Sequence, residues 1–170
     1  MSTAEAVAPV ISSTDEFTRE AKRLSANTAP TFVHMRARLP VQGRTNQMLA
    51  ATPNMTLVLK TYASGGENEL HGHTNEDHVF IVLQGAAVFF GPKGEERRAA
   101  KNDCVLLPRN SLYRFHAEEG GEPLVMIRVG AIINTMADHH ARVDEHGKVL
   151  DGYSAANKEV PIVYSEKWYG

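Results

Sequence analysis

Apolar, β-branched and aromatic residues gather along most of this chain in short runs: residues 31–37, 47–51, 55–62, 78–83, 86–90, 104–107, 112–116 and 124–132. Turn formers part them, as in Ser64-Gly65-Gly66, Gly91 to Gly94, Pro108 to Asn110 and Glu119 to Glu122. Many short strands at this spacing predict an all-β sandwich or barrel rather than alternating strands and helices. In the run 78–83, alternation puts His78, Phe80 and Val82 on one face and Val79, Ile81 and Leu83 on the other. Both faces are apolar apart from His78, so this strand is expected to be buried on both. One face would fill the barrel. The other needs the N-terminal helix, a second sheet or a partner chain, and a homodimer is the expectation.

The two ends break the pattern. Residues 1–12 carry little that would order them. Ser13-Thr14-Asp15-Glu16 then has the form of a capping box, opening a helix to about Leu24 with Phe17, Ala21 and Leu24 on one stripe. At the far end, residues 135–142 fit a short helix carrying His139 and His140, and residues 143–161 are polar and Gly-punctuated, an excursion outside the barrel. Val160 to Tyr164 and Trp168-Tyr169 are apolar enough to need cover, on the domain itself or on a second subunit. The organisation expected is an N-terminal segment with a helix (1–30), a barrel (31–132) and an irregular C-terminal extension (133–170).

Composition adds mainly exclusions. With 170 residues, 42% hydrophobic and 22% charged, the chain can bury a core of its own. A formal net charge of -2 gives no electrostatic reason for nucleic acid or an anionic membrane as partner. No apolar run approaches the roughly 20 residues that span a bilayer. The N-terminus lacks the pattern of a secretory signal, and Cys104 is the single cysteine, which suits a reducing cytoplasm. Cys104 sits in an apolar run and is expected to be a buried thiol rather than a nucleophile.

Candidate chemistry concentrates in one place. His71, His73 and His78 fall within eight residues, in a stretch that leaves a Gly-rich loop and enters a strand. Imidazole is the commonest neutral metal ligand, and i, i+2 spacing on extended backbone puts two side chains on one face. A metal site is the reading this favours. His34, His139, His140 and His146 have no such setting and are expected at the surface. No nucleophile elbow, P-loop or dinucleotide fingerprint occurs.

In this stretch the chain resembles the cupin family of small β-barrels, whose first motif reads G-x5-H-x-H-x3,4-E-x6-G. Gly65, His71, His73 and Gly85 match it in identity and spacing, and the count back from Gly85 places His78 where the family has glutamate. The second motif, G-x5-P-x-G-x2-H-x3-N, falls on residues 102–117, where Pro108 is retained, Asn110 replaces the second glycine and Tyr113 stands in place of the last histidine. The resemblance covers roughly residues 45–132. It implies a double-stranded β-helix (jelly-roll) barrel holding one divalent ion (Fe, Mn, Ni or Zn) on His71, His73 and His78, with Tyr113 as fourth ligand or as general acid/base. Asp77 is the alternative third ligand; with His78 in that role, Glu76 and Asp77 would be neighbouring or solvated groups, and a β-bulge could turn His116 inward as the missing histidine.

What the resemblance implies for function is a mononuclear metalloenzyme acting on a small organic acid or carbonyl compound, with O2-dependent cleavage as first choice. The alternatives are a binding module without turnover and a non-redox lyase or isomerase that uses Tyr113. Phe80, Val82 and Phe115 share strand parity with the inward ligands and would line an apolar pocket. Arg109 and Arg114 are the candidates for pairing a substrate carboxylate.

Overall fold

The computed structural model describes residues 7–136, 142–154, 157 and 160–170. One helix, α1 (Thr14–Ser25), is capped by Ser13, whose hydroxyl accepts from the Glu16 amide at 3.1 Å. Five antiparallel strands form the larger sheet: β2 (Arg44–Thr52), β3 (Met55–Tyr62), β10 (Leu124–Ile132), β5 (Glu76–Gln84) and β8 (Cys104–Leu107), in that spatial order. A smaller sheet runs β7 (Glu96–Ala100), β6 (Ala86–Phe90) and β9 (Arg114–Ala117). Two ribbons complete the fold. They are β1 (Ala37–Gln42) with β12 (Val163–Tyr169), and β4 (Gly72–His73) with β11 (Arg142–Val143).

Alternation along the strands explains where the core lies. Tyr62, Phe80, Val82, Leu124 and Met126 of the larger sheet meet Ala87, Phe89, Ala99 and Phe115 of the smaller one. The opposite face of the larger sheet presents Leu49, Leu59, Val125 and Ile127, and the β1–β12 ribbon covers it with Ala37, Leu39 and Tyr169. The C-terminal strand therefore docks on its own domain. Helix α1 lays Phe17 and Ala21 against Met48 and Val58, closing the end of the interior that the smaller sheet leaves open. Gly85 makes the tight connection from β5 to β6 at φ +69, where an added Cβ would lie 2.8 Å from the Glu122 carbonyl oxygen.

Several sequence expectations need correction. Residues 31–36 form no strand, and Phe32 is exposed; the strand begins at Ala37 and carries on through Pro40 and Val41. The charged run Glu96-Arg97-Arg98 is strand β7, an edge of the smaller sheet where charged side chains face solvent. Cys104 is exposed rather than buried, because β8 is the edge of the larger sheet and its alternation turns Cys104 and Leu106 outward. The outward face of β5 is only partly covered: Leu83 packs under the ribbon, whereas Ile81 remains exposed. The helix expected over residues 135–142, with His139 and His140, falls largely outside the described residues; Arg142 itself opens β11. No helix among the described residues is long and apolar enough to cross a membrane.

Candidate metal centre

The inward faces of β2, β3, β10 and β5 form one continuous wall. Alternation places Val58, Lys60 and Tyr62 of β3, Arg128 of β10, and Glu76, His78 and Phe80 of β5 on it. The sheet register sets Gly130 opposite His78. A Cβ at Gly130 would lie 2.9 Å from both a Glu76 carboxylate oxygen and the Thr56 hydroxyl, so the missing side chain leaves the room that Glu76 occupies. The other walls come from Tyr113, bound to His71 by reciprocal backbone hydrogen bonds of 2.9 and 3.0 Å, and from β4, paired with β11 so that His73 faces Arg142. Helix α1 and residues 149–153 close the top. They enclose a cavity of about 460 Å3, within the range of small-molecule sites.

Donor atoms of His73, Glu76 and His78 lie within 4.8 Å of one another in this cavity. His78 Nε2 is 2.7 Å from Glu76 Oε2, and His78 Nδ1 is 3.2 Å from the Tyr113 hydroxyl. A tyrosine hydroxyl both donates and accepts, so His78 keeps that partner in either neutral tautomer. The ring of His73 sits 4.1 Å from that of His78, and its buried Nδ1 has no hydrogen-bond partner among the described residues. A buried nitrogen left in this state is destabilising unless something binds it. His71 borders the cluster, its ring 5.3 Å from that of His73. Its Nδ1 is 2.7 Å from the Glu69 carbonyl oxygen, which can only accept, and 2.9 Å from Arg142 Nη2, which can only donate, so the two contacts call for opposite tautomers.

Burial sets the charge states. It is the leading cause holding His71 and His73 well below the usual histidine range, and it takes His78 down to about 4 against the opposing pull of the Glu76 hydrogen bond. All three imidazoles are thus neutral at pH 7, the form that binds a cation. Burial pushes the Tyr113 phenol above its ordinary value, so it stays protonated. A donor set of neutral imidazoles, one carboxylate and one unpartnered nitrogen fits a divalent ion.

These shifts imply a pH dependence for the metal-free chain. Below about 6.5 the unfolded chain protonates these histidines while the folded chain does not, so the unfolded state binds more protons and stability falls as pH falls. Urea unfolding at several pH values should show stability declining from pH 6.5 towards 4. A flat profile over that window would contradict the burial of these rings.

The structure brings His71, His73, His78 and Tyr113 to one cavity, and adds Glu76. It places the alternatives elsewhere. Asp77 faces the other way, and its Oδ1 accepts from the Arg109 amide at 2.7 Å. His116 lies opposite Val88 with its ring against Phe90, on the strand parity opposite to buried Phe115, and no bulge turns it inward. Arg109 and Arg114 are exposed, with Arg114 stacked over Phe90. Phe80 and Phe115 line the cavity as expected, whereas Val82 is buried deeper in the core. His34 and His146 are exposed. Among the described residues, the cationic side chains at the cavity are Arg44, Lys60, Arg128 and Arg142. Parity within the runs 55–62 and 124–132 could have found Lys60 and Arg128; nothing in the sequence pointed to Arg142.

Residues 58–130 match the cupin domain family. Among solved structures, the chain is similar to that of KdgF from Halomonas sp., at 22% identity over 62% of this chain and 96% of that one, with a TM-score of 0.51. The polyketide cyclase RemF from Streptomyces resistomycificus gives 20% identity over 61% and 80%, TM-score 0.51. A conserved protein with a double-stranded beta-helix domain from Klebsiella pneumoniae gives 18% over 58% and 80%, TM-score 0.51. At these identities the likeness concerns the fold. No curated protein matches the chain in sequence.

Proposed function

We propose that this chain, which belongs to the cupin superfamily, is a mononuclear metal-dependent enzyme that acts on a small organic acid or carbonyl compound, with O2 as co-substrate. The observation that carries the reading is Glu76 set among neutral imidazoles, with the buried His73 Nδ1 left unpartnered among the described residues. His73, Glu76 and His78 would hold the ion, and His71 adjoins them. Two histidines and one carboxylate are the donor set of non-haem Fe(II) oxygenases, which supports iron over zinc and O2 chemistry over simple Lewis-acid chemistry. When bound, such an ion supplies a Lewis acid and a site for O2.

The chain's own residues do the rest. Phe80 and Phe115 keep part of the pocket wall apolar and limit water. Tyr113 keeps a proton on its hydroxyl, 3.2 Å from His78 Nδ1, and so orients that ring. Tyr113→Phe should therefore weaken metal binding about 10- to 100-fold, the usual loss when an outer hydrogen-bond partner of a ligand is removed. Equal affinity in the variant, measured by competition with a chelating dye, would remove Tyr113 from the site.

Metal analysis of protein purified without added metal, followed by oxygen-electrode screening of β-dicarbonyl and phenolic acids, tests the whole reading. Bound iron with substrate-dependent O2 uptake is the expected result. Turnover without O2 uptake would replace the oxygenase by a lyase or isomerase, and binding without turnover would leave a ligand-binding module.

A further inference from the structure

We propose that Arg44, Lys60, Arg128 and Arg142 form an oxyanion subsite in this cavity, beside the metal cluster, that takes a carboxylate or phosphate group of a small ligand. Its link to a reaction rests on the function proposed above; the anion binding itself requires no metal.

Three strands and one ribbon converge on this charge. Lys60 pairs across the sheet with Asn46 on one side and Met126 on the other, which makes Arg44 and Arg128 its diagonal neighbours. Such neighbours stand roughly 7–8 Å apart, within reach of long side chains, and like charges there repel. Arg142 arrives from β11, beyond the barrel strands, and is 8% exposed. Against these four cations the cavity offers, among the described residues, two carboxylates, Glu76 and Asp151. Asp151 Oδ1 already accepts from the Thr14 hydroxyl and the Tyr153 amide, and Glu76 Oε2 lies 3.9 Å from Arg128 Nη1 while hydrogen-bonded to His78. The whole chain has a net charge of -2, so the positive wall is a local arrangement and not a reflection of composition.

The hydrogen bonding of these cations is incomplete. Among the described residues Arg128 Nε and Arg142 Nε are buried without a partner, and the Lys60 amine stands over the Tyr62 ring, 5.4 Å from its centroid. Arg142 Nη2 lies 2.9 Å from His71 Nδ1, which is also 2.7 Å from the Glu69 carbonyl oxygen, so that one nitrogen can satisfy only one of the two. Arg128 donates to the Thr56 hydroxyl at 3.0 Å, and Arg44 to the Gly152 carbonyl. Burial and then the guanidiniums of Arg128, Arg44 and Arg142 hold the Lys60 amine well below the lysine range. Burial also takes Arg142 down to about 10. An oxyanion would relieve the repulsion and supply acceptors to the buried donors at once, with a guanidinium able to bind it through two parallel hydrogen bonds. The cavity volume restricts the ligand to a small molecule.

Isothermal titration of the metal-free, full-length chain with malonate and with inorganic phosphate tests the subsite, and the stronger of the two identifies the group it prefers. Saturable binding is expected, about 10- to 100-fold weaker in Arg142→Gln and in Lys60→Gln, the factor that follows from losing a charged hydrogen bond. Lys60→Met guards against a folding defect. It removes one like charge and keeps an apolar stem of similar length, so it should bind the anion as poorly as Lys60→Gln while unfolding at the same or a higher temperature. No saturable binding of either anion, or equal affinity in wild type and variants, would overturn the subsite. Metal content, measured on wild-type protein purified without added metal, is an independent readout: no anion binding by the wild type together with bound metal refutes only the subsite, and anion binding with no bound metal refutes only the metal centre.

Discussion

Glu76→Gln should lower the chain's affinity for a divalent ion by more than the roughly 10- to 100-fold that loss of an outer-shell partner costs, because a ligand itself is weakened. Asp77→Asn, one residue along, should change nothing. The pair isolates direction from chemistry. Glu76 and Asp77 are adjacent acids on one strand, but alternation turns the first into the cavity, 2.7 Å from His78, and the second outward onto the Arg109 amide. Competition with a chelating dye gives both affinities under one set of conditions. A large loss in Asp77→Asn with none in Glu76→Gln would mean that β5 is read in the wrong register.

Phe80→Ala carries the largest expected effect on stability, a loss of about 3–5 kcal/mol in urea unfolding. Phe80 is 1% exposed and stands between the two sheets, with ring centroids 5.5 Å from Phe115, 6.0 Å from Phe89 and 6.2 Å from Tyr113. Its removal leaves a void that three surrounding rings cannot fill without leaving their rotamers. It also takes away the floor beneath His78, 6.0 Å above it. Metal affinity should therefore fall together with stability. A cost below about 1 kcal/mol would show that the aromatic layer repacks freely and does not hold the site.

The barrel was legible in the sequence because strand-forming residues and turn residues alternate along most of it. The strands at 55–62, 86–90, 104–107 and 124–132 stand where their composition put them. What escaped was local. Glu96 to Ala100 lacks β-branched and aromatic residues, since an edge strand with solvent on its outer side needs none. Residues 31–36 have strand-like composition but no neighbour to pair with.

The site was legible as far as spacing could carry it. His71, His73 and Gly85 fixed the motif, and the count from Gly85 singled out His78. Glu76 lies two residues before the apolar run 78–83, outside the stretch whose composition marks a strand; β5 starts at Glu76, and the same alternation places it inward beside His78. With Glu76 the cavity holds three neutral imidazoles and a carboxylate, where the resemblance implied His71, His73 and His78 with Tyr113 as the fourth group; the carboxylate stands two residues before the position at which the family has glutamate. The cations were harder. Lys60 and Arg128 are single charges on otherwise inward apolar parity, a pattern readable in hindsight, while Arg142 comes from a segment whose path over the barrel depends on tertiary contacts alone.

X-ray absorption on the chain loaded with one equivalent of Zn(II) tests the central claim most directly. The account predicts one ion per chain, with nitrogen and oxygen neighbours at about 2.0–2.2 Å. Multiple scattering should report at least two imidazoles, one fewer after His73→Ala. Sub-stoichiometric uptake, or an imidazole signal that His73→Ala leaves unchanged, would contradict it.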